Sequence, residues 1–189
     1  GAGNILGLEQ SGNIMDVGFD LYCQMLEEEV RKIKGEEIKP YFRTSVFFKV
    51  SFYIPETYIA DEKQKIEFYK RFEACETVEE VDILEKEMID RFGTPPEEVR
   101  TLVELERIRA LASRLYIEEI LEENNKINIK ITSQCTISPD LLLKSISSDK
   151  RFTINPKYPE ILQFTPGKIP IEKKLMEIKK WLQQFLILS

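Results

Sequence analysis

The sequence predicts an α+β fold, in which an antiparallel sheet is covered by helices and preceded by a helical hook. Three observations carry that reading. Apolar residues recur at steps of three and four through several long stretches, as helices with one buried face require. By contrast, KINIKI at 126–131 alternates strictly, and TSVFFKVSFY at 44–53 is crowded with β-branched and aromatic types. The segments follow the order helices, strand, three helices, two strands, helix, two strands, helix.

The first helix is expected from about Asn13 to Lys34, with Phe19, Tyr22, Leu26, Val30 and Ile33 on one face and Gly35 as its stop. Gly18 weakens its middle. Glu36 to Arg43 is polar, contains Pro40 and marks a boundary: residues 1–36 stand apart, 37–43 link, and 44–189 form a compact domain. Residues 44–53 make a strand that Pro55 closes. A helix over 63–74 turns Ile66, Tyr69 and Phe72 inward. Thr77 and Glu80 form a capping box, in which hydroxyl and carboxylate satisfy reciprocal backbone amides. The helix they open carries Val81, Leu84, Met88 and Phe92 as its apolar stripe and ends at Gly93.

Thr94-Pro95-Pro96-Glu97-Glu98 starts the next helix, with a cap candidate, proline in the first turn and two acids at the positive end of the helix dipole. Leu102, Leu105, Ile108, Leu111 and Leu115 line it. Strands near 117–121 and 126–132 are joined by Glu-Glu-Asn-Asn. Ser138-Pro139-Asp140 opens a short helix, and 151–154 with 161–164 reads as a hairpin around a proline-bearing loop. The last helix, about 170–186, places Ile171, Leu175, Ile178, Leu182 and Phe185 on one face, with Trp181 partly in the core.

Composition removes several classes of chemistry. The chain has no histidine, so Ser-His and Cys-His nucleophile pairs and the HExxH zinc sites are all excluded. Cys23, Cys75 and Cys135 are odd in number, far apart and without a CxxC, which argues against a disulfide framework or a zinc site. No apolar run approaches the roughly 18 residues of a membrane span. The N-terminus lacks the order of a signal peptide, and the expected compartment is the cytoplasm. Of the net charge of -6, all belongs to residues 61–100, where thirteen Asp/Glu meet seven Lys/Arg. That segment repels phosphate and suits a basic protein partner.

The opening stretch GAGNILGLEQSG contains four glycines in twelve residues. It lacks the lysine of a Walker loop, and its third glycine falls one residue late for a dinucleotide fingerprint. Spacing alone makes it a glycine-rich turn. On the last helix Lys173, Lys174, Lys179 and Lys180 suggest DNA binding, but Glu172 and Glu177 interrupt them and no aromatic residues interleave. Glu87, Asp90 and Arg91 stand at i, i+3 and i+4 on the side of their helix opposite Leu84 and Met88, a solvated face with an internal ion pair.

Gly1-Ala2-Gly3-Asn4-Ile5-Leu6-Gly7, Gln10-Ser11-Gly12 and Val17-Gly18-Phe19-Asp20-Leu21-Tyr22 closely resemble the end of the translocase module of the bacterial transcription-repair coupling factors. Tyr53-Ile54-Pro55, Tyr58-Ile59, Tyr69-Lys70-Arg71 and Asp90-Arg91-Phe92-Gly93 with Pro96 resemble that family's C-terminal domain, in order and at similar spacing. The resemblance implies a first segment that is the end of the translocation motif shared with the RecG helicase, in which Gln10, with Gly3, Gly7 and Gly12, couples ATP hydrolysis to movement on double-stranded DNA. Both motor lobes, with their ATP and Mg, would lie outside this chain, which would then have no catalytic residue, no metal and no cofactor of its own. It further implies that the C-terminal domain packs on the family's N-terminal UvrB-like module, hides the surface that recruits UvrA, and releases it when stalled RNA polymerase is engaged. Glu87, Asp90 and Arg91 are the expected partner-binding residues. The alternatives are a RecG-like helicase tail, a direct nucleic-acid-binding module and a stand-alone enzyme using carboxylates.

Overall fold

A computed structural model describes residues 42–187. The expected hook helix and most of the linker lie outside them. The elements are β1 (Ser45–Phe47), α1 (Glu62–Ala74), α2 (Val78–Phe92), α3 (Glu97–Arg114), β2 (Ile117–Glu123), β3 (Lys126–Ile131), α4 (Pro139–Ser148), β4 (Phe152–Ile154), β5 (Ile161–Phe164) and α5 (Ile171–Ile187). Helices and one five-stranded sheet make the fold α+β, as expected. The described residues group into two compact units, Val50–Glu106 in one and Phe42–Lys49 with 107–187 in the other.

The second unit holds the whole sheet, in the order β1-β2-β3-β5-β4. Three of its pairings are antiparallel, and β1 pairs with β2 in parallel, with Val46 beside Ile120. The expected purely antiparallel sheet therefore gains one parallel edge. The cause lies in the connection: a hairpin forces antiparallel pairing, whereas the long run from β1 to β2 leaves direction free. β1 is also shorter than the apolar run at 44–53, although burial still alternates beyond it, with Val46, Phe48, Phe52 and Ile54 all buried at even positions.

Asn124 and Asn125 join β2 to β3 with φ of 51° and 61°, the left-handed pair that a two-residue hairpin needs and that asparagine tolerates. Ile120, Ile127, Ile129, Leu162, Phe164 and Phe152 form the buried rows of the sheet. Phe152 stacks between Phe164 at 4.4 Å and Trp181 at 5.3 Å, and Trp181 meets Phe185 edge-on at 4.8 Å. Trp181 is core rather than partly core, and its Nε1–H donates to Ser145 Oγ at 3.4 Å, so α5 is tied to α4 by the one polar atom the indole carries.

In the first unit, Phe52, Ile54, Ile59, Phe68, Phe72, Val81, Leu84 and Met88 are buried. On α1 Tyr69 and Phe72 turn inward as read from spacing, and Phe68 and Lys65 are buried with them, whereas the expected Ile66 is only half-buried. Lys65 Nζ pairs with Glu62 at 3.3 Å, which compensates the burial of an ammonium. α3 passes from the first unit to the second at Glu106; it carries its predicted apolar stripe and is buried well beyond it, with Thr101, Val103 and Glu106 inside on the first part and Arg109, Ala110 and Ala112 on the second.

Candidate partner-binding surface

The surface on the first unit is built by α1 and α2, each fixed at both ends. Asp61 Oδ1 accepts from the N–H of Gln64 at 3.0 Å and starts α1. Thr77 Oγ1 accepts from the N–H of Glu80 at 3.2 Å and starts α2. Glu80 reaches back as a capping-box acid should, but to the N–H of Glu76 at 2.7 Å, one residue before the position expected. Gly93, with φ of 84°, closes α2 through its N–H to Ile89 O at 2.8 Å. Tyr58 then donates its O–H to Gly93 O at 2.7 Å, which satisfies a carbonyl at the helix end.

Held this way, the last turn of α1 presents Arg71 to Glu87 of α2. Arg71 grips both carboxylate oxygens, Nη2 to Oε1 at 2.6 Å and Nη1 to Oε2. Arg91 Nη1 adds a third bond to Oε2 at 3.2 Å. The guanidinium carbon of Arg71 lies 5.4 Å from the Phe68 ring centroid, and that of Arg91 lies 5.2 Å from Phe68 and 5.1 Å from Phe92. Phe92 packs edge-on against Phe68 at 5.8 Å and against Tyr58 at 5.9 Å, so both arginines rest on an ordered aromatic floor. The hydrogen bonds from Arg71, seconded by Arg91, hold the Glu87 carboxyl down to about 2, and the same contact raises Arg71 above its usual value.

Glu87 and Arg91 thus form the i,i+4 pair read from spacing. Arg71 joins them from another helix. The Asp90 side chain is exposed and makes no hydrogen bond or ion pair among the described residues. The two carboxylates named together therefore differ: one is held by two guanidinium groups and one is open to solvent. Gln10, Gly3, Gly7 and Gly12 lie outside the described residues. The basic face of α5 is also partly committed, because Lys174 pairs with the buried Glu122 at 3.4 Å and Glu177 with Arg151 at 2.8 Å. Among the described residues no group of three or more Cys, Asp or Glu is placed to hold a metal ion, and no helix is long and apolar enough to cross a membrane.

Residues 48–142, half of the chain, match the family model described as the TRCF domain. The transcription-repair-coupling factor of Bacillus subtilis is 37% identical over 98% of this chain, and that of Rickettsia bellii is 34% identical over 99%. The chain spans 16% of the length of either relative. The Myxococcus xanthus relative is 43% identical over 56% of the chain. A crystal structure of the C-terminal domain of a transcription-repair coupling factor matches in fold, with a TM-score of 0.69 and 22% identity over 77% of this chain and 94% of that one.

Proposed function

Because the chain belongs to the transcription-repair-coupling factor family, we propose that it is a C-terminal regulatory part of such a protein, acting by contact and not by catalysis. In this reading residues 1–36 are the end of the translocation motif with its hook, where Gln10 couples the motor to movement on double-stranded DNA. Residues 37–43 are a linker and 44–189 the regulatory domain. The motor with its ATP and Mg belongs to the rest of the longer protein. The RecG-like alternative gives way to the family match.

The contact proposed is between the Glu87, Asp90 and Arg91 face of α2 and a basic face of the N-terminal UvrB-like module. Docked there, the domain hides the surface that recruits UvrA until stalled RNA polymerase is engaged. The observation that carries this is the exposed Asp90, which stands one turn from Glu87 on a helix fixed at both ends. A latch must open, and couplings of this kind amount to about 1–3 kcal/mol. Exposed charge pairs of roughly 0–1 kcal/mol each add up to that range, where a large apolar seam would exceed it.

The test is charge reversal in the full-length protein. Replacing Glu87 and Asp90 together with lysine should raise basal ATPase activity and UvrA retention. A double variant indistinguishable from the parent in both assays would sink the latch.

A further inference from the structure

We infer that Arg71 is an internal competitor for the docking surface: it occupies Glu87 and thereby sets how tightly the domain holds a basic partner, leaving Asp90 to make the outward contact. The inference rests on the docking reading above and concerns its regulation. Its ground is the occupancy of one carboxylate. A carboxylate offers about four lone-pair sites. Three are taken at Glu87, two by the fork of Arg71 and one by Arg91. An incoming guanidinium therefore cannot engage Glu87 through both oxygens without displacing Arg71. With Glu67, whose carboxylate lies 4.0 Å from Arg71 Nη1, the cluster sets two guanidinium groups against two carboxylates, so at this point an otherwise acidic segment offers a basic partner no net attraction.

Arg71 is also a strong competitor by construction. Its planar fork is held over Phe68, so little side-chain freedom is lost when it binds the carboxylate. Arginine side chains from a partner arrive without that preordering. Exchanging one guanidinium for another on Glu87 yields nearly nothing, whereas a cation reaching Asp90 forms a new pair. The two acids that the sequence presents as equivalent thus have opposite roles. Asp90 attracts, and Glu87 is withheld.

The prediction is a pattern across a double-mutant cycle, read as the dissociation constant between this chain and the separately produced UvrB-like module of the same protein. Arg71→Gln should tighten binding by about three- to fivefold, since it frees Glu87 for the partner. Adding Glu87→Gln to Arg71→Gln should cancel that gain. Asp90→Asn should weaken it by about fivefold. Arg71→Lys keeps the charge but loses the fork, and should tighten binding by less, about twofold. That variant decides the matter if Arg71→Gln does not fold. An independent readout is the Glu87 carboxyl pKa by NMR, which should rise towards its ordinary value in Arg71→Gln.

The competitor role is overturned if Arg71→Gln leaves binding unchanged or weaker, or if Arg71→Gln still tightens it when Glu87 is already replaced by Gln. Absence of any binding by the parent chain, together with unchanged ATPase activity on charge reversal, overturns the docking reading and this inference with it. Parent binding with the wrong variant order overturns this inference alone.

Discussion

Glu87 carries its charge at the expense of the acid stability of the fold. Its folded value near 2 lies below the ordinary 4.5, so the pair with Arg71 stabilises the native state fully above about pH 4.5 and is lost as pH falls from there to about 2. Because both side chains are more than a third exposed, solvent screening keeps the contribution to about 1 kcal/mol or less. Asp149 is lowered in the same sense by Arg151 and adds to the same acid loss. Unfolding curves recorded between pH 6 and 2 should therefore fall less steeply for Arg71→Gln than for the parent, while keeping the part due to Asp149. Identical slopes would mean that the Arg71 contact is not formed in solution. Half of this site was legible in the sequence. Glu87 and Arg91 follow helix periodicity, whereas Arg71 comes from a neighbouring helix and reaches Glu87 only through tertiary packing, which spacing along one helix does not encode.

Among the elements, helix ends were the most readable, because caps are local chemistry. Thr77 bonds the N–H of Glu80 as its position implies, and Thr77→Ala should cost about 1 kcal/mol in chemical denaturation. A loss below the error of that measurement would show that Glu80, through Glu76, carries the cap instead. The β2–β3 hairpin was equally plain, since KINIKI alternates and Asn124-Asn125 takes the left-handed turn. Asn125→Gly should stabilise the chain by a few tenths to about 1 kcal/mol, because glycine adopts that φ without the steric penalty of a side chain. A drop in melting temperature would contradict the turn assignment. Strand direction and the burial of α3 were not legible. β1 takes its direction from β2, distant in sequence. The buried Glu106 and Arg109 fall at i+4 and i+7 from Leu102, but as charged residues they are left out of an apolar stripe.

At the scale of the whole molecule, the second unit is discontinuous in sequence, and that has a measurable consequence. Residues 107–189 hold four of the five strands, yet the parallel edge comes from Phe42–Lys49. Those residues contribute more than a strand. The Thr44 N–H donates to Ser113 Oγ at 3.0 Å, Thr44 Oγ1 donates to Ile117 O at 2.6 Å, and the Lys49 N–H reaches the buried Glu122 at 3.3 Å. Val46 and Phe48 are buried to within 1% of complete. Removing two such side chains forfeits about 1.5–3 kcal/mol each, before the hydrogen bonds and the newly exposed edge of β2 are considered. Against a total stability of about 5–15 kcal/mol, that loss leaves residues 107–189 marginal. Expressed alone, they should unfold at a clearly lower temperature than the full chain or associate through the bare β2 edge. A synthetic peptide of residues 42–49 added in excess should raise the melting temperature as its concentration rises, because it binds only the folded form. The same peptide with Val46 and Phe48 replaced by serine should not. If residues 107–189 alone melt cooperatively at the temperature of the full chain, β1 is an ornament of the sheet and not one of its supports.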